Sequence, residues 1–148
     1  MGTCYALALT AILSITNPPT QEAAELAASC ICAASAQTGV HPAWLVSYLA
    51  VENKDFNAYG AGSDTGLFQI NMKWNGHRLN NPLDYKEQSN AAADVIKENV
   101  EHFGMNWQGI AAYNSWNNAI KKNATAQDYF ARWRRKIVKI SYLWENHG

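Results

Sequence analysis

The stretch that decides the fold is WLVSYLAVEN, residues 44–53, and GLFQIN, residues 66–71, begins fourteen residues after Glu52. The first eight residues of this stretch are almost entirely apolar, so they predict a buried helix that ends at Glu52. A carboxyl group at the end of a buried helix loses hydration, and this loss raises its pKa. Such a group can hold a proton near neutral pH and protonate a glycosidic oxygen. The glycine-led segment predicts a tight turn with polar side chains that face a sugar.

Helix start and stop signals surround this stretch. His41-Pro42 opens the buried helix, because proline is favoured in the first helical turn. Residues 21–37 are alanine-rich and predict a preceding helix that stops at Gly39. Residues 54–71 contain three glycines and several polar residues, so they predict a loop or a short β-hairpin.

The C-terminal half predicts two longer helices. Residues 85–103 have apolar residues at helical spacing, and Gly104 ends that helix. A short helix over 107–113 and a polar, Asn-rich loop over 114–123 follow, and then a last helix over 126–144. The apolar side of the last helix contains Phe130, Trp133, Ile137, Ile140 and Leu143 or Trp144. The prediction is a mainly α fold in which a helical bundle and a small loop or β-hairpin lobe flank a cleft.

Composition restricts the class of protein. The 148 residues predict a single folded domain, and 16% of them are charged, against about a quarter in an average protein. Six Trp and seven Tyr suit either a carbohydrate cleft or an aromatic core. Residues 1–104 contain ten acidic and five basic residues, whereas residues 105–148 contain two and seven. The basic segment 105–148 either attracts an anionic polymer or is a solvated helix face. No groove-reading motif accompanies these charges, which disfavours binding to nucleic acid.

Residues 4–15 are apolar over about the length of a signal-peptide core, too short to span a bilayer. Asn17-Pro18-Pro19 ends the run, but no Lys or Arg precedes it. We expect residues 1–20 to be an export signal or an N-terminal apolar segment, and residues 21–148 to be the domain. In a cleaved protein the mature chain would start between Thr20 and Cys30. The alternatives are a packed N-terminal helix or a start codon placed too late.

The cysteines give little further information. Cys4, Cys30 and Cys32 are an odd number, and Cys30 and Cys32 point to different sides of a helix. We expect one or two small buried thiols. No Cys/His spacing suggests zinc, and no motif suggests an organic cofactor.

Several segments in order resemble a known family: Val51-Glu52, Phe56, residues 66–71, Ala112-Tyr113-Asn114 and Tyr129. They are similar to the motifs of lytic transglycosylases of the soluble-lytic-murein-transglycosylase (SLT) type, over roughly residues 30–140. The resemblance implies a lysozyme-like α+β fold and cleavage between N-acetylmuramic acid and N-acetylglucosamine in peptidoglycan. It is greatest to small exported members that serve secretion or conjugation machinery. It thus implies a periplasmic or exported monomer that binds glycan strands, needs no metal or cofactor and has no membrane span.

The resemblance also implies residue roles. Glu52 would be the catalytic acid and then the base, and Gln69 would line the cleft and bind sugar groups. Tyr113 and Asn114 would orient and hydrogen-bond a sugar, and the Tyr129 hydroxyl would approach the Glu52 carboxyl. The alternatives are a helix-end salt bridge from Glu52 to Lys54, an exposed strand Gln69, and core packing for the two tyrosines. Phe56 is expected to support Glu52 from below.

Three positions depart from the family pattern. Asn53 follows Glu52 where the family usually has Ser, and Ser115-Trp116 replaces Ala-Gly. A Trp at that position would narrow or extend the cleft. Leu83 follows Asn81-Pro82 where relatives often have a Cys, so the disulfide that this implies for Cys30 is expected to be absent.

Asp64 supports a rival interpretation, because residues 64–71 also resemble the strand segment of animal-type lysozymes. There an Asp serves as the second carboxylate, and water cleaves the bond. Asp64 would otherwise brace the turn. A phage-borne wall-degrading enzyme would share the chemistry, whereas a non-catalytic wall-binding protein would be expected to lack Glu52.

Overall fold

The computed structural model describes residues 2–145, and Met1 and residues 146–148 lie outside it. The helices are α1 (Gly2–Ile15), α2 (Gln21–Thr38), α3 (Pro42–Asn53), α4 (Met72–Asn75), α5 (Tyr85–Phe103), α6 (Trp107–Ala111), α7 (Trp116–Lys121), α8 (Ala124–Ile140) and α9 (Tyr142–Glu145). The strands are β1 (Asp64–Thr65) and β2 (Ile70–Asn71), and residues Gly76–Arg78 form a 3₁₀ turn. The predicted mainly helical class with a small β-hairpin is confirmed.

Helix α3 is the buried centre of the molecule. Leu45, Val46, Tyr48 and Leu49 are completely buried, as expected for a helix that is apolar on all sides. Helices α1, α2 and α8 pack around it, and α5 packs mainly against α2. Glu52 therefore leaves the core in the last turn of α3, where its backbone is rigidly held.

The predicted helix boundaries in the N-terminal half are confirmed by capping contacts. The Thr20 hydroxyl accepts a hydrogen bond from the Ala23 amide at 3.0 Å, and Gly39 ends α2 with φ of 80°. The imidazole of His41 accepts from the Ala43 amide at 3.0 Å, and Pro42 occupies the first helical position. These caps satisfy backbone groups that a helix end leaves without partners. They fix the direction of α3 and hence the position of Glu52.

The irregular lobe between α3 and α5 contains the antiparallel pair β1 and β2, in which Asp64 pairs with Asn71 and Thr65 with Ile70. Gly66 lies in the connecting turn with φ of 80°. A Cβ atom at this position would overlap the side-chain amide of Gln88, so the turn requires glycine for both conformation and space. The prediction of a short hairpin over 54–71 is confirmed.

The prediction for the C-terminal half is partly wrong. Residues 114–123 contain α7 rather than only a loop, because the Ser115 hydroxyl caps it by accepting from the Asn118 amide at 3.2 Å. The last helix is broken at Ser141 into α8 and α9. On α8, Trp133 and Ile140 are buried and Phe130 and Ile137 are partly buried, as predicted.

The N-terminal segment is a packed helix in this structure. Ala8, Ala11 and Ile12 of α1 are completely buried, and a disulfide joins Cys4 to Cys32 with Cα atoms 6.1 Å apart. The sequence did not predict this disulfide, whereas Cys30 is the expected buried free thiol. Within residues 2–145, no helix combines the length and the hydropathy needed to cross a bilayer. Removal of residues 1–20 on export stays a prediction, and it would also remove Cys4.

Candidate active site

Glu52 lies at the floor of a surface cleft, where α3 meets the irregular lobe. Its side chain is partly buried, and its Oε2 accepts a hydrogen bond from the Tyr129 hydroxyl of α8 at 2.5 Å. Lys54, two residues later, forms no ion pair with it; among residues 2–145 the ion pair found joins Arg78 to Glu98. Glu52 is therefore positioned by a neutral hydrogen-bond donor rather than by a cation.

The environment of Glu52 raises its pKa to about 7 from an ordinary value of 4.5. Burial is the largest cause, and the negative charge of Asp64 adds to it. The Tyr129 hydrogen bond and the positive charge of Arg132 act in the opposite direction. Because this pKa is close to neutral, the group can both donate and accept a proton near neutral pH.

Three tyrosines form the wall behind Glu52. Tyr48 lies one helical turn before Glu52, and its ring packs on Tyr113 and Tyr129 with centroid distances of 4.8 and 6.5 Å. Tyr48 donates to the Ile110 carbonyl at 2.9 Å, and Tyr113 donates to the Phe68 carbonyl at 2.7 Å. Burial raises the pKa of all three tyrosines well above 10, and the Glu52 charge adds to this effect. The hydroxyls therefore stay protonated and act as donors.

Residues 66–71 are held against the end of α3 by buried amides. Asn53 Nδ2 donates to the Gly66 carbonyl at 3.1 Å and to the Asn57 carbonyl at 2.8 Å. Gln88 Oε1 accepts from the Phe68 amide at 2.9 Å, and Gln88 is completely buried. Asn53, the departure from the expected Ser, thus ties the turn to the helix that carries Glu52.

Gln69 lines the cavity that contains Glu52, but its amide is partly used within the turn. Gln69 has φ of 51°, in the left-handed region, and its Nε2 donates to the Gly66 carbonyl at 2.9 Å. Its Oε1 lies against Gly60, where a Cβ would overlap it. The other amide hydrogen is left for a ligand.

The cavity beside Glu52 has a volume of about 110 Å³. The lining residues are Glu52, Asp64, Gln69, Ile70, Asn71, Asn75, Val95, Tyr113 and Asn114. A second cavity of about 490 Å³ shares Asn71, Asn75, Val95, Tyr113 and Asn114 with it. The two together form one groove, rich in amide side chains, that extends away from Glu52.

Two tryptophans line the larger part of this groove. Trp74 is 69% exposed, and its helix α4 is capped by Asn71, whose side chain accepts from the Lys73 and Trp74 amides. Trp116 is 42% exposed and donates from its indole nitrogen to Asn99 Oδ1 at 2.7 Å. The groove therefore has exposed aromatic surface beside its amides, a combination that suits a sugar chain with apolar faces and polar edges.

The structure brings five of the six predicted site residues together along this groove. Glu52, Asp64, Gln69, Tyr113 and Asn114 line it, and Tyr129 reaches Glu52 from the buried side without lining it. The Tyr113 hydroxyl donates a hydrogen bond to the Phe68 carbonyl, so the ring is the part of Tyr113 that faces the groove.

Three further residues belong to the description of this region. Asp64 is the second carboxylate of the cavity, and burial raises its pKa also. Phe56 packs edge-on against Tyr85 with a centroid distance of 6.1 Å. Sequence reasoning missed the part played by Tyr48, although its position four residues before Glu52 was a signal, because side chains at this spacing share a helix face.

No metal-binding cluster of three or more His, Cys, Asp or Glu side chains is present among residues 2–145. No family model, curated protein or solved structure matches the chain.

Proposed function

We propose that the protein is a peptidoglycan lytic transglycosylase with a lysozyme-like fold and that Glu52 is its catalytic acid and base. The observation that carries this proposal is the placement of the Glu52 carboxyl group, which lines the groove and accepts a hydrogen bond from Tyr129, and whose burial raises its pKa to about 7. The amides and exposed tryptophans of that groove suit N-acetylated sugars. The resemblance of residues 51–129 to SLT-type enzymes supports the same activity.

The reaction begins with proton transfer from Glu52 to the oxygen between N-acetylmuramic acid and N-acetylglucosamine. As that bond breaks, the C6 hydroxyl of the same muramoyl residue attacks C1, and the Glu52 carboxylate takes the hydroxyl proton. The product ends in a 1,6-anhydro ring, and no water is consumed. One carboxyl group suffices, because the attacking hydroxyl belongs to the substrate and an intramolecular attack has a high effective molarity.

The surroundings of Glu52 suit both of its roles. Burial keeps the proton on Glu52 until the bridging oxygen arrives, and the Tyr129 hydroxyl stabilises the carboxylate after transfer. Tyr48 and Tyr113 pack behind Glu52, and the hydrogen bonds of their hydroxyls to backbone carbonyls fix the positions of their rings. Gln69 and Asn114 are placed to bind the acetamido groups or hydroxyls of the bound strand.

A lysozyme-type hydrolase is the second candidate, because Asp64 lines the same cavity as Glu52. In that mechanism Asp64 stays ionised as a nucleophile or charge stabiliser. The match of Tyr113-Asn114 and Tyr129 to the SLT-type pattern favours the transglycosylase. A phage-borne enzyme would use either mechanism.

The proposed partner is the glycan strand of peptidoglycan, and the proposed location is the periplasm or cell envelope, where a secretion or conjugation apparatus would use the activity. The Cys4–Cys32 disulfide supports an oxidising compartment. Removal of residues 1–20 on export would leave Cys32 without this partner.

Turnover of purified peptidoglycan by two variants tests the proposal. Glu52→Gln should lower turnover by about 100-fold or more, because it removes the proton donor. Asp64→Asn should keep most of the activity, because it leaves Glu52 and the C6 hydroxyl in place. Near-normal activity of Glu52→Gln would reject the assignment, whereas loss of activity in both variants would favour the hydrolase.

A further inference from the structure

A basic pocket lies on the side of α8 next to the end of α3. We define it by Arg132, Arg135, Lys136 and Lys139, which together with Ala50 and Val51 line a cavity of about 270 Å³. The four basic residues occupy positions i, i+3, i+4 and i+7 of α8, so they share one face of that helix. The proposed reaction uses none of them as a proton donor or acceptor.

The charges of the basic pocket have no carboxylate partner among residues 2–145. The ion pair found among these residues joins Arg78 to Glu98, and both residues line the larger part of the Glu52 groove, not the basic pocket. Burial lowers the pKa of Lys136, and the positive charges of Lys139, Lys54 and Arg135 add to this effect. Four cations held on one concave surface repel each other, and a bound anion would relieve this repulsion.

The basic pocket is close to Glu52 but separate from its groove. Val51 lines the pocket and precedes Glu52 in α3. The Arg132 guanidinium lies 5.4 Å from the centre of the Tyr129 ring, and the Tyr129 hydroxyl bonds Glu52. No residue lines both the pocket and the Glu52 cavity. The basic pocket is therefore a separate site that Val51 and the Arg132–Tyr129 contact connect to Glu52.

We propose that the basic pocket binds carboxylate groups of the peptides attached to the glycan strand, a proposal that rests on the function proposed above. Arg forks match the two oxygens of a carboxylate, and the lysines add point charges. A volume of about 270 Å³ exceeds the space that one carboxylate needs, so the site suits a peptide with more than one. An anionic membrane is disfavoured, because the apolar part of the lining is only Ala50 and Val51.

Binding to purified insoluble peptidoglycan tests this proposal. All proteins carry Glu52→Gln, so that binding is measured without cleavage. The test variant adds Arg135→Gln and Lys139→Gln, and the matched control adds Lys121→Gln and Lys122→Gln, which removes the same charge from exposed residues outside the pocket. We expect the dissociation constant to rise about tenfold for the test variant and less than twofold for the control. Melting temperatures check that both variants are folded.

The ligand chemistry is tested with two altered substrates and one competitor surface. Amidating the peptide carboxylates, or removing the peptides with an amidase, should abolish the difference between the test and control variants. Equal weakening by both variants, or an undiminished difference on peptide-free strands, would overturn the pocket proposal. So would binding to phosphatidylglycerol vesicles in place of peptidoglycan.

These outcomes separate the pocket from the proposed function. If the parent protein cleaves peptidoglycan but the test and control variants bind it equally, only the pocket proposal fails. If neither the parent nor the Glu52→Gln protein binds or cleaves peptidoglycan, both proposals fail.

Discussion

Replacing Glu52 with glutamine should stabilise the protein at alkaline pH, and it also removes the proton that the proposed reaction transfers. The pKa of Glu52 is about 7 in the folded protein and close to the ordinary 4.5 in the unfolded chain. The folded state therefore holds this proton more tightly than the unfolded chain does. Below about pH 4.5 Glu52 is protonated in both states and does not lower the free energy of unfolding. Between about pH 4.5 and about pH 7 the unfolded chain loses this proton while the folded protein keeps it, so the free energy of unfolding falls, and above about pH 7 the fall is complete.

The size of this effect follows from the two pKa values. The difference between the folded and unfolded pKa values of Glu52 corresponds to about 3 kcal/mol in the free energy of unfolding once the pH exceeds both values. Glutamine has no charge to bury, and its side-chain oxygen can still accept the Tyr129 hydrogen bond. The stability of Glu52→Gln relative to the parent should therefore increase by about 3 kcal/mol between about pH 4 and pH 8.5.

Urea denaturation of both proteins at several pH values measures this difference. Glu101→Gln is the matched control, because Glu101 is an exposed carboxylate of α5, and its effect should stay within about 0.5 kcal/mol at each pH. A Glu52→Gln difference that is flat with pH, or that falls as the pH rises, would refute the claim that burial raises the Glu52 pKa.

The remaining predictions concern the neighbours of Glu52 and the covalent link to α1. Tyr129→Phe removes a hydrogen bond that lowers the Glu52 pKa, so the alkaline limb of the kcat/KM profile should move to higher pH; an unchanged limb would argue against this contact. Trp116→Ala removes aromatic surface from the groove, so KM should rise several-fold with little change in kcat, whereas a change in kcat alone would contradict this role. Replacing Cys4 and Cys32 by serine should lower the free energy of unfolding by about 3 kcal/mol, measured by urea denaturation without reductant, and an equal stability of the two proteins would show that the bridge is not formed.

The sequence predicted those parts of the fold that local signals control. Thr20, Gly39 and His41-Pro42 mark helix ends through contacts within a few residues, and these ends are where the sequence placed them. The turn at Gly66 was predictable for the same reason. The sequence also placed Glu52 at the end of a buried helix, because an apolar run of eight residues leaves no exposed face.

The parts that the sequence did not predict depend on contacts between distant segments. The Cys4–Cys32 disulfide requires α1 to pack on α2, and the spacing of the cysteines does not encode that packing. Helix α7 was missed because its cap, Ser115, lies in an Asn-rich segment that also suits a loop. The hydrogen bond from Trp116 to Asn99 joins residues seventeen positions apart, and only the folded chain shows it.

The chemical form of the cleaved ends distinguishes the proposed transglycosylase reaction from hydrolysis. Purified peptidoglycan is digested with the parent protein, and the released fragments are analysed by mass spectrometry. We expect fragments that end in 1,6-anhydromuramic acid, each lighter by one water than the corresponding fragment with a reducing end. Fragments with only reducing, water-added ends would contradict this expectation and would assign the reaction to hydrolysis with Asp64 as the second carboxylate.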